Sequence, residues 1–261
     1  MRLVVKLGGA ALENTALLDR CARVLARLAQ QGHRVVVVHG GGAALTRALQ
    51  QLGKTSEFVG GLRVTDAETR DVALMVLAGG INKRLVAVLA RAGQPAVGLA
   101  GGDGLAFRAR KLPGNGRDLG FVGEVCEADP RWLEAIWAQG AVPVVASLAL
   151  GFDGEYYNVN ADQMAAACAV ACQAEALVFL TDVPGVWNAE RTLIGRLSAA
   201  EIPSLAAGAV IQGGMLPKLE ACRRALAGGV AHVHILPAAE VEALPQVGEA
   251  GVAVGTEVVA P

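Results

Sequence analysis

Short apolar runs alternate with longer amphipathic stretches along the chain. The first run, residues 3–7, is apolar on both faces except for Lys6, and a helical pattern over residues 12–29 follows it. Comparable apolar runs occupy residues 34–38, 96–99, 142–148, 177–180, 230–236 and 252–258. Runs without polar alternation are typical of strands buried in a parallel sheet, with the intervening helices on both faces. The pattern therefore predicts an α/β fold of three layers, αβα, around a central and mostly parallel sheet.

Glycine-rich turns follow several of these runs. They come after Leu7, His39, Leu99 and Leu180. Glycine lets backbone N–H groups approach a phosphate closely, and parallel sheets bind ligands beyond the carboxyl ends of their strands. We therefore expect one long ligand, or two ligands side by side, along that edge of the sheet.

Two further patterns give local structure. Residues 67–92 read as one long helix that Asp66 caps and that Gly79 and Gly80 weaken. Residues 105–110 and 121–125 read as the two strands of a hairpin around the loop 113–116.

Length and composition exclude several classes of protein. The 261 residues suffice for one large α/β domain or two closely joined lobes, and the net charge of -1 argues against nucleic acid as a partner. Every long apolar stretch is interrupted by glycine, proline or charge, so no membrane span is expected. The five cysteines lack C-x-x-C or zinc-like spacing, and Met1-Arg2 runs directly into the first strand, so we expect a cytoplasmic protein.

The candidate chemistry lies in four charged residues. Lys6 and Lys218 each adjoin a Gly-Gly pair, and cations beside backbone donors are what phosphoryl transfer requires. Asp162 has the charge to hold both lysines in place, and Arg63 suits a bidentate grip on a carboxylate. Each residue also has a purely structural interpretation: a lysine that reaches water, a solvated arginine, or an acid that complements a helix dipole.

Familiar motifs do not explain these residues. Residues 48–55 match a loose phosphate-binding loop, but a helix precedes them where a strand is needed. The sequence His39-Gly40-Gly41-Gly42 resembles a lipase oxyanion loop, yet no serine stands between glycines as its nucleophile. No G-x-G-x-x-G follows the first strand, and no His, Cys and carboxylate cluster indicates a protein-bound metal. The histidines His33, His232 and His234 are expected to serve in packing or to lie at the surface.

Six motifs in fixed order identify a resemblance that covers essentially the whole chain. They are KLGG from Lys6, HGGG from His39, GLRVT from Gly61, NVNAD from Asn158, LTDVPG from Leu180 and GGMLPK from Gly213. In this order the motifs resemble those of the amino acid kinase family, which has the carbamate kinase-like αβα fold. Within that family, GLRVT together with NVNAD is most similar to the members that phosphorylate N-acetyl-L-glutamate in arginine biosynthesis.

The resemblance implies a role for each motif. It implies that Lys6 and Lys218 stabilise the transferring phosphoryl group, with Asp162 organising both lysines. It places N-acetyl-L-glutamate at Gly41, Gly42, Arg63 and Asn158. It places ATP at Gly8, Gly9, Asp182, Val183, Pro184, Gly185, Val186, Trp187, Val210, Ile211 and Gln212. Mg²⁺ would be carried by the nucleotide, with no protein ligand.

The resemblance also implies the organisation of the molecule. Residues 1–172 would form an N-terminal lobe for the acceptor and for dimerisation, and residues 173–261 a C-terminal lobe for ATP. The helix over residues 67–92 would cross its twin in a homodimer. Two alternatives stay open: a related kinase that acts on an acylated or carrier-linked aminoadipate, and a non-catalytic regulator that binds a nucleotide or an amino acid.

Overall fold

The computed structural model describes residues 1–114, 116–207, 213–248 and 254–261. Within these residues the strands are β1 Arg2–Leu7, β2 Arg34–His39, β3 Phe58–Val59, β4 Leu62–Arg63, β5 Ala96–Leu99, β6 Phe107–Lys111, β7 Val122–Ala128, β8 Val142–Ala146, β9 Leu148–Gly151, β10 Tyr156–Val159, β11 Ala176–Thr181, β12 Val186–Trp187, β13 Leu193–Ile194, β14 Arg196–Ser198, β15 His232–Pro237 and β16 Thr256–Val259. The α-helices are α1 Gly9–Glu13, α2 Thr15–Gln30, α3 Gly42–Gln51, α4 Ala67–Ala73, α5 Asn82–Arg91, α6 Arg131–Ala138, α7 Ala161–Ala171, α8 Ile202–Ala207 and α9 Met215–Ala227. A π-helical segment spans Leu74–Ile81, and 3-10 turns span Asp103–Leu105 and Ala238–Gln246.

The central sheet has eight strands in the order β14-β16-β15-β11-β1-β2-β8-β5. All its neighbouring pairs are parallel except β15 with β16. One face packs against α7 and α9, where Val4, Phe179 and Leu219 share a buried cluster. The other face packs against α2 and α5, where Val5, Leu25 and Leu85 are buried together. The predicted αβα arrangement with a mostly parallel sheet is confirmed.

The chain leaves this sheet at Ser147, where the sequence pattern predicts one continuous strand over residues 142–148. β8 stays in the main sheet, whereas β9 joins β6, β7 and β10 in a closed four-stranded barrel. The Ser147 N–H donates to the carbonyl of His39 at 3.1 Å, which ties the switch point to the end of β2. The predicted hairpin is confirmed as β6 and β7, which pair antiparallel with Arg110 opposite Glu124.

The first predicted helix is two helices. Asn14 stands between α1 and α2, and its side chain accepts from the Leu17 N–H at 3.0 Å. This contact is an N-cap, which satisfies a donor that the first turn of α2 would leave unpaired. Asn14 therefore ends one helix and begins the next.

The long helical run Ala67–Arg91 is continuous, and its middle part is the π-helical segment that carries Gly79 and Gly80. Its length and apolar composition would allow it to span a membrane, contrary to the expectation from the sequence. A single such helix is weak evidence of a span, because core helices share these properties. Here Leu77, Ile81 and Leu85 are buried in the same cluster as α2 and the sheet, so one face of the run packs into the core.

Candidate active site

A cavity of about 230 Å³ lies at the carboxyl edge of the central sheet, where β1 and β2 end beside the four-stranded barrel. Its polar lining includes Lys6, Gly9, Gly41, Gly42, Arg63, Ser147, Asn158 and Asn160. Its apolar lining includes Leu45, Phe58, Leu77 and Val122. A small cavity with several converging polar groups and an apolar wall suits a short, charged organic molecule.

Lys6, Asp162 and Lys218 meet beside this cavity. Nζ of Lys6 lies 2.8 Å from Oδ1 of Asp162, and Nζ of Lys218 lies 3.0 Å from each carboxylate oxygen. Asp162 stands in the first turn of α7, and its side chain is only 8% exposed. Lys218 also lies over the ring of Phe179, 5.1 Å from its centroid. The tertiary fold thus unites three residues that are far apart in sequence.

The charges of this triad perturb one another. Burial alone would raise the pKa of the Asp162 carboxyl, but the ammonium groups of Lys6 and Lys218 bring it below its ordinary value. Burial and the neighbouring Lys6 lower the pKa of Lys218, against the opposing pull of Asp162. Two lysines share one carboxylate, so the fully ionised triad carries a net positive charge. A phosphate group is the complementary ligand.

The turn between β2 and α3 contributes backbone donors to the cavity. Gly41 precedes α3, and the N–H groups in the first turn of a helix have no intrahelical partner. A Cβ at Gly41 would lie 2.1 Å from Cδ1 of Ile81, so a side chain here would collide with the core. The turn therefore needs glycine for packing, and the start of a helix is suited to binding an anion through its N–H groups.

Arg63 is a second cation in the lining of the cavity. Its guanidinium donates to the carbonyl of Gly42 at 3.1 Å and to Oγ1 of Thr46 at 2.7 Å, and it lies over the ring of Phe58 at 4.7 Å. Burial lowers the pKa of this guanidinium from its very high ordinary value. The side-chain amide of Asn158 donates to Oγ1 of Thr65 at 3.3 Å. Both residues are held by neighbours and line the cavity as the sequence predicts, while their roles stay predictions.

Of the residues predicted to bind the nucleotide, Gly9 lines this cavity, whereas Gly8 and residues 182–187 are not among its lining residues. Gly8 donates its N–H to the carbonyl of Leu180 at 2.9 Å, which joins the first glycine turn to the end of β11. In the loop that follows β11, Asp182 and Trp187 are exposed, as is Pro184, with Val183 half-buried.

Two residues of that loop serve in packing. The Val186 side chain is buried in the core, and its N–H donates to Oγ1 of Thr256 at 2.8 Å. A Cβ at Gly185 would lie 2.6 Å from the same oxygen. The predicted contacts at Val210, Ile211 and Gln212 lie outside the described residues.

Sequence reasoning missed Asn160 and Ser147, which both line the cavity. Asn160 caps α7, because its Oδ1 accepts from the N–H of Asp162 at 2.9 Å and of Gln163 at 3.2 Å. An asparagine directly before a helical pattern is a visible capping signal. Ser147 gave no such signal, because its place at the cavity depends on the switch between the two sheets.

The structure also brings together three side chains that the sequence did not indicate as a cluster. Potential ligand atoms of His232, His234 and Glu257 lie within 4.8 Å of one another, on β15 and β16. The guanidinium of Arg196 stands 3.9 Å from the Glu257 carboxylate and competes for it. This cluster is separate from the residues that line the cavity.

The pH dependence of stability has an identifiable source in His39. Burial lowers the pKa of this imidazole to about 4. Below pH ~6.5 the His39 imidazole binds a proton in the unfolded chain but stays neutral in the folded protein. The free energy of unfolding therefore falls as pH falls. We expect His39 to account for about 2 kcal/mol of the loss in unfolding free energy between pH 7 and pH 5. Urea unfolding at both pH values, in the wild type and in His39→Gln, measures this share, and equal pH dependence in the two proteins would contradict it.

Comparison with known proteins places this geometry in context. Residues 1–237 match the model of the amino acid kinase family. The chain is 64% identical over 263 residues to the acetylglutamate kinase of Acidobacterium capsulatum, with both chains fully covered. It is 56% identical over 260 residues to the acetylglutamate kinase of Koribacter versatilis, covering 100% of this chain and 99% of the relative. It is also similar to the structure of N-acetylglutamate synthase from Neisseria gonorrhoeae complexed with coenzyme A and N-acetyl-glutamate, at 29% identity and a TM-score of 0.85, over 99% of this chain and 59% of that one.

Proposed function

The chain belongs to the amino acid kinase family, and on that premise we propose that it transfers the γ-phosphoryl group of ATP to the side-chain carboxylate of N-acetyl-L-glutamate. The product is the acyl phosphate, N-acetyl-L-glutamyl 5-phosphate, an intermediate of arginine biosynthesis. The observation that carries the proposal is the Lys6–Asp162–Lys218 triad beside a cavity that Arg63 also lines.

The reaction requires little proton chemistry from the protein. The acceptor carboxylate is already ionised at neutral pH, so no general base is needed. One of its oxygens attacks the γ-phosphorus, and the bond from that phosphorus to the bridging oxygen breaks, which leaves ADP. The protein supplies position and charge: Lys6 and Lys218 face the negative charge of the migrating group, and Asp162 fixes their ammonium groups.

The remaining groups of the cavity orient the acceptor. Arg63 and Asn158 are placed to bind the end of N-acetyl-L-glutamate that does not react, while the turn at Gly41 and Gly42 offers N–H groups to the reacting carboxylate. The apolar wall at Leu45 and Val122 suits the aliphatic part of the substrate.

Arg63 provides a test of this binding mode. In Arg63→Lys, we expect KM for N-acetyl-L-glutamate to rise by about tenfold or more and KM for ATP to change little, because an ammonium cannot keep the contacts to Gly42 and Thr46 and also reach the acceptor. Arg70→Lys is a matched control, since Arg70 also lies over an aromatic ring, that of Phe121, at 4.5 Å, but does not line the cavity. A rise in both KM values in Arg63→Lys would mean that Arg63 has a structural role.

In this proposal each of the two lobes binds one substrate. Residues 1–172 bind the acceptor, since the lining residues of the cavity, within the part of the chain that the structure describes, fall in that range. Residues 173–261 bind ATP, with Lys218 reaching the shared triad from that side. Both oxygens of Asp162 accept from lysine, so this carboxylate is committed to the two ammonium groups. In this proposal Mg²⁺ would enter with the phosphates of ATP and neutralise part of their charge.

We further propose a cytoplasmic homodimer. The five cysteines are unpaired thiols, as a reducing compartment favours. Met75 is 71% exposed on the helical run Ala67–Arg91, the helix that the family resemblance places at the dimer interface.

The dimer has a direct test. Light scattering at micromolar concentration should give twice the chain mass of 26.7 kDa, and Met75→Lys should give the single mass. A monomer mass for the wild type would exclude the dimer.

The reaction itself is tested by ADP release, coupled to capture of the acyl phosphate as a hydroxamate. N-acetyl-L-glutamate should be a better acceptor than glutamate, aspartate, aminoadipate and N-acetylaminoadipate. A preference for N-acetylaminoadipate would mean that the longer acid is the substrate. Absence of ADP release with every acceptor, in a protein that still binds ATP, would indicate a non-catalytic regulator.

A further inference from the structure

We infer that His39 and Asn82 are positioning residues for the glycine turn that receives the acceptor, although neither lines the cavity. The inference rests on the proposed function and adds to it. Both side chains are fully buried, and they form a hydrogen-bonded chain that ends on the peptide between Gly40 and Gly41.

The contact with the turn comes first. Nδ1 of His39 lies 2.8 Å from the carbonyl oxygen of Gly40. A carbonyl only accepts, so Nδ1 carries the ring proton and donates it. The peptide unit is planar and trans, so the N–H of Gly41 points away from the carbonyl that His39 holds. Fixing the Gly40 carbonyl therefore fixes the direction of the Gly41 N–H.

The other ring nitrogen gives the same tautomer independently. Nδ2 of Asn82 lies 2.9 Å from the carbonyl of Val144 and 3.1 Å from Nε2 of His39. The carbonyl of Val144 must accept from the amide, which identifies that atom as the NH₂ group. The second hydrogen has Nε2 as its nearer acceptor, since the carbonyl of Leu99 lies farther away, at 3.5 Å. Nε2 can accept only if it carries no proton, in agreement with a proton on Nδ1.

Asn82 is itself held tightly. Its Oδ1 accepts from Nζ of Lys83 at 3.2 Å. The same oxygen packs against Gly98 of β5, where a Cβ would lie 1.8 Å from it. The amide thus has one allowed orientation, and Gly98 provides the room for it.

The π-helical segment connects these contacts. Asn82 follows it directly. Ile81 at its end and Leu77 within it lie against Gly41, where a Cβ would be 2.1 Å and 2.8 Å from their methyl groups. The helical run therefore contacts the glycine turn in two ways. Ile81 and Leu77 pack against Gly41, and Asn82 is linked through His39 to the carbonyl of Gly40. Non-α-helical turns of this kind are frequent near functional sites.

The protonation state suits this role. Burial lowers the pKa of His39 to about 4, and the cationic side chains that face it, Arg84 and Lys83, act in the same direction. The imidazole is consequently neutral at the pH of the cytoplasm, as an accepting Nε2 requires.

Two substitutions separate the two ends of the ring. In His39→Asn the side-chain amide falls near the position of Nδ1 and can still donate to Gly40. In His39→Gln the amide falls near Nε2, so it keeps Asn82 and loses Gly40. We expect His39→Gln to raise KM for N-acetyl-L-glutamate about tenfold, as for loss of one buried hydrogen bond, with KM for ATP changed less than twofold. His39→Asn should recover most of the loss.

Asn82→Ala should raise the same KM, and the double variant Asn82→Ala/His39→Gln should be no worse than His39→Gln alone, because both act through one contact. The matched control is His234→Asn, another buried histidine on a strand of the sheet, which should lower stability without changing either KM. The inference is wrong if KM for ATP and for the acceptor rise together in His39→Gln, or if His39→Asn is no better than His39→Gln.

A measurement on the wild type does not depend on activity. Nitrogen-15 NMR of labelled histidine should show His39 neutral and protonated on Nδ1 from pH 6 to pH 8. A proton on Nε2 would overturn the inference even in an active kinase. Conversely, a protein with the expected tautomer but without activity toward N-acetyl-L-glutamate would contradict the proposed function and leave the geometry of the turn intact.

Discussion

Replacing Lys218 by alanine is expected to lower kcat by about 100- to 1,000-fold, with a smaller change in KM for ATP. The reason is that the ammonium group matters most when charge develops on the detaching phosphoryl group. Burial strengthens the effect, because Lys218 is 7% exposed and little water is present to screen its charge. Lys6→Ala should behave alike, since Lys6 binds the same carboxylate from β1.

A surface lysine is the control for these variants. Lys111 forms an ion pair with Asp118, but its side chain is about half exposed and lies outside the cavity. Lys111→Ala should leave kcat and both KM values unchanged. Steady-state kinetics with each substrate varied would measure kcat and both KM values in these variants. A near-normal kcat in both Lys6→Ala and Lys218→Ala would exclude the mechanism.

The sequence alone sufficed for features with local signals. Lys6 is conspicuous because a lysine interrupts an apolar strand just before two glycines. The parallel sheet follows from strands that are apolar on both faces. The capping residue Asp66 is also local, and its side chain accepts from the Thr69 N–H at 2.8 Å as predicted.

The remaining features depend on contacts between distant segments. Residues 142–148 are apolar throughout, so nothing in their pattern indicates that Ser147 passes the chain from one sheet to another. Val186 stands in a turn-rich motif, yet its side chain is buried because Thr256, 70 residues later, holds its backbone. The link from His39 to Asn82 likewise joins the end of a strand to the middle of a helix. Spacing along the chain does not encode such meetings, which the packing of the whole domain determines.

Replacing Asp162 by asparagine is expected to lower the free energy of unfolding by about 3–5 kcal/mol, the usual cost of removing one partner from a buried ionic cluster. The amide has the size of the carboxyl group, so packing is preserved. However, the ammonium groups of Lys6 and Lys218, which both bind Asp162 at about 3 Å, lose the charge that compensates them. Urea unfolding would measure the loss. Asp118→Asn is the control, because that carboxylate pairs with Lys111 at the surface and should contribute little.

If the loss of unfolding free energy in Asp162→Asn comes from charge and not from shape, three further results are expected. Stability of Asp162→Asn should recover as pH rises, because the folded state holds the pKa of Lys218 below its unfolded value and so releases that proton first. Inorganic phosphate should stabilise the variant more than the wild type, since an anion restores the missing charge. Adding Lys218→Met should restore part of the stability while activity stays lost, as the second ammonium group is then removed. If phosphate and pH affect the variant and the wild type equally, and the second substitution only destabilises further, then Asp162 serves packing and does not organise the two lysines.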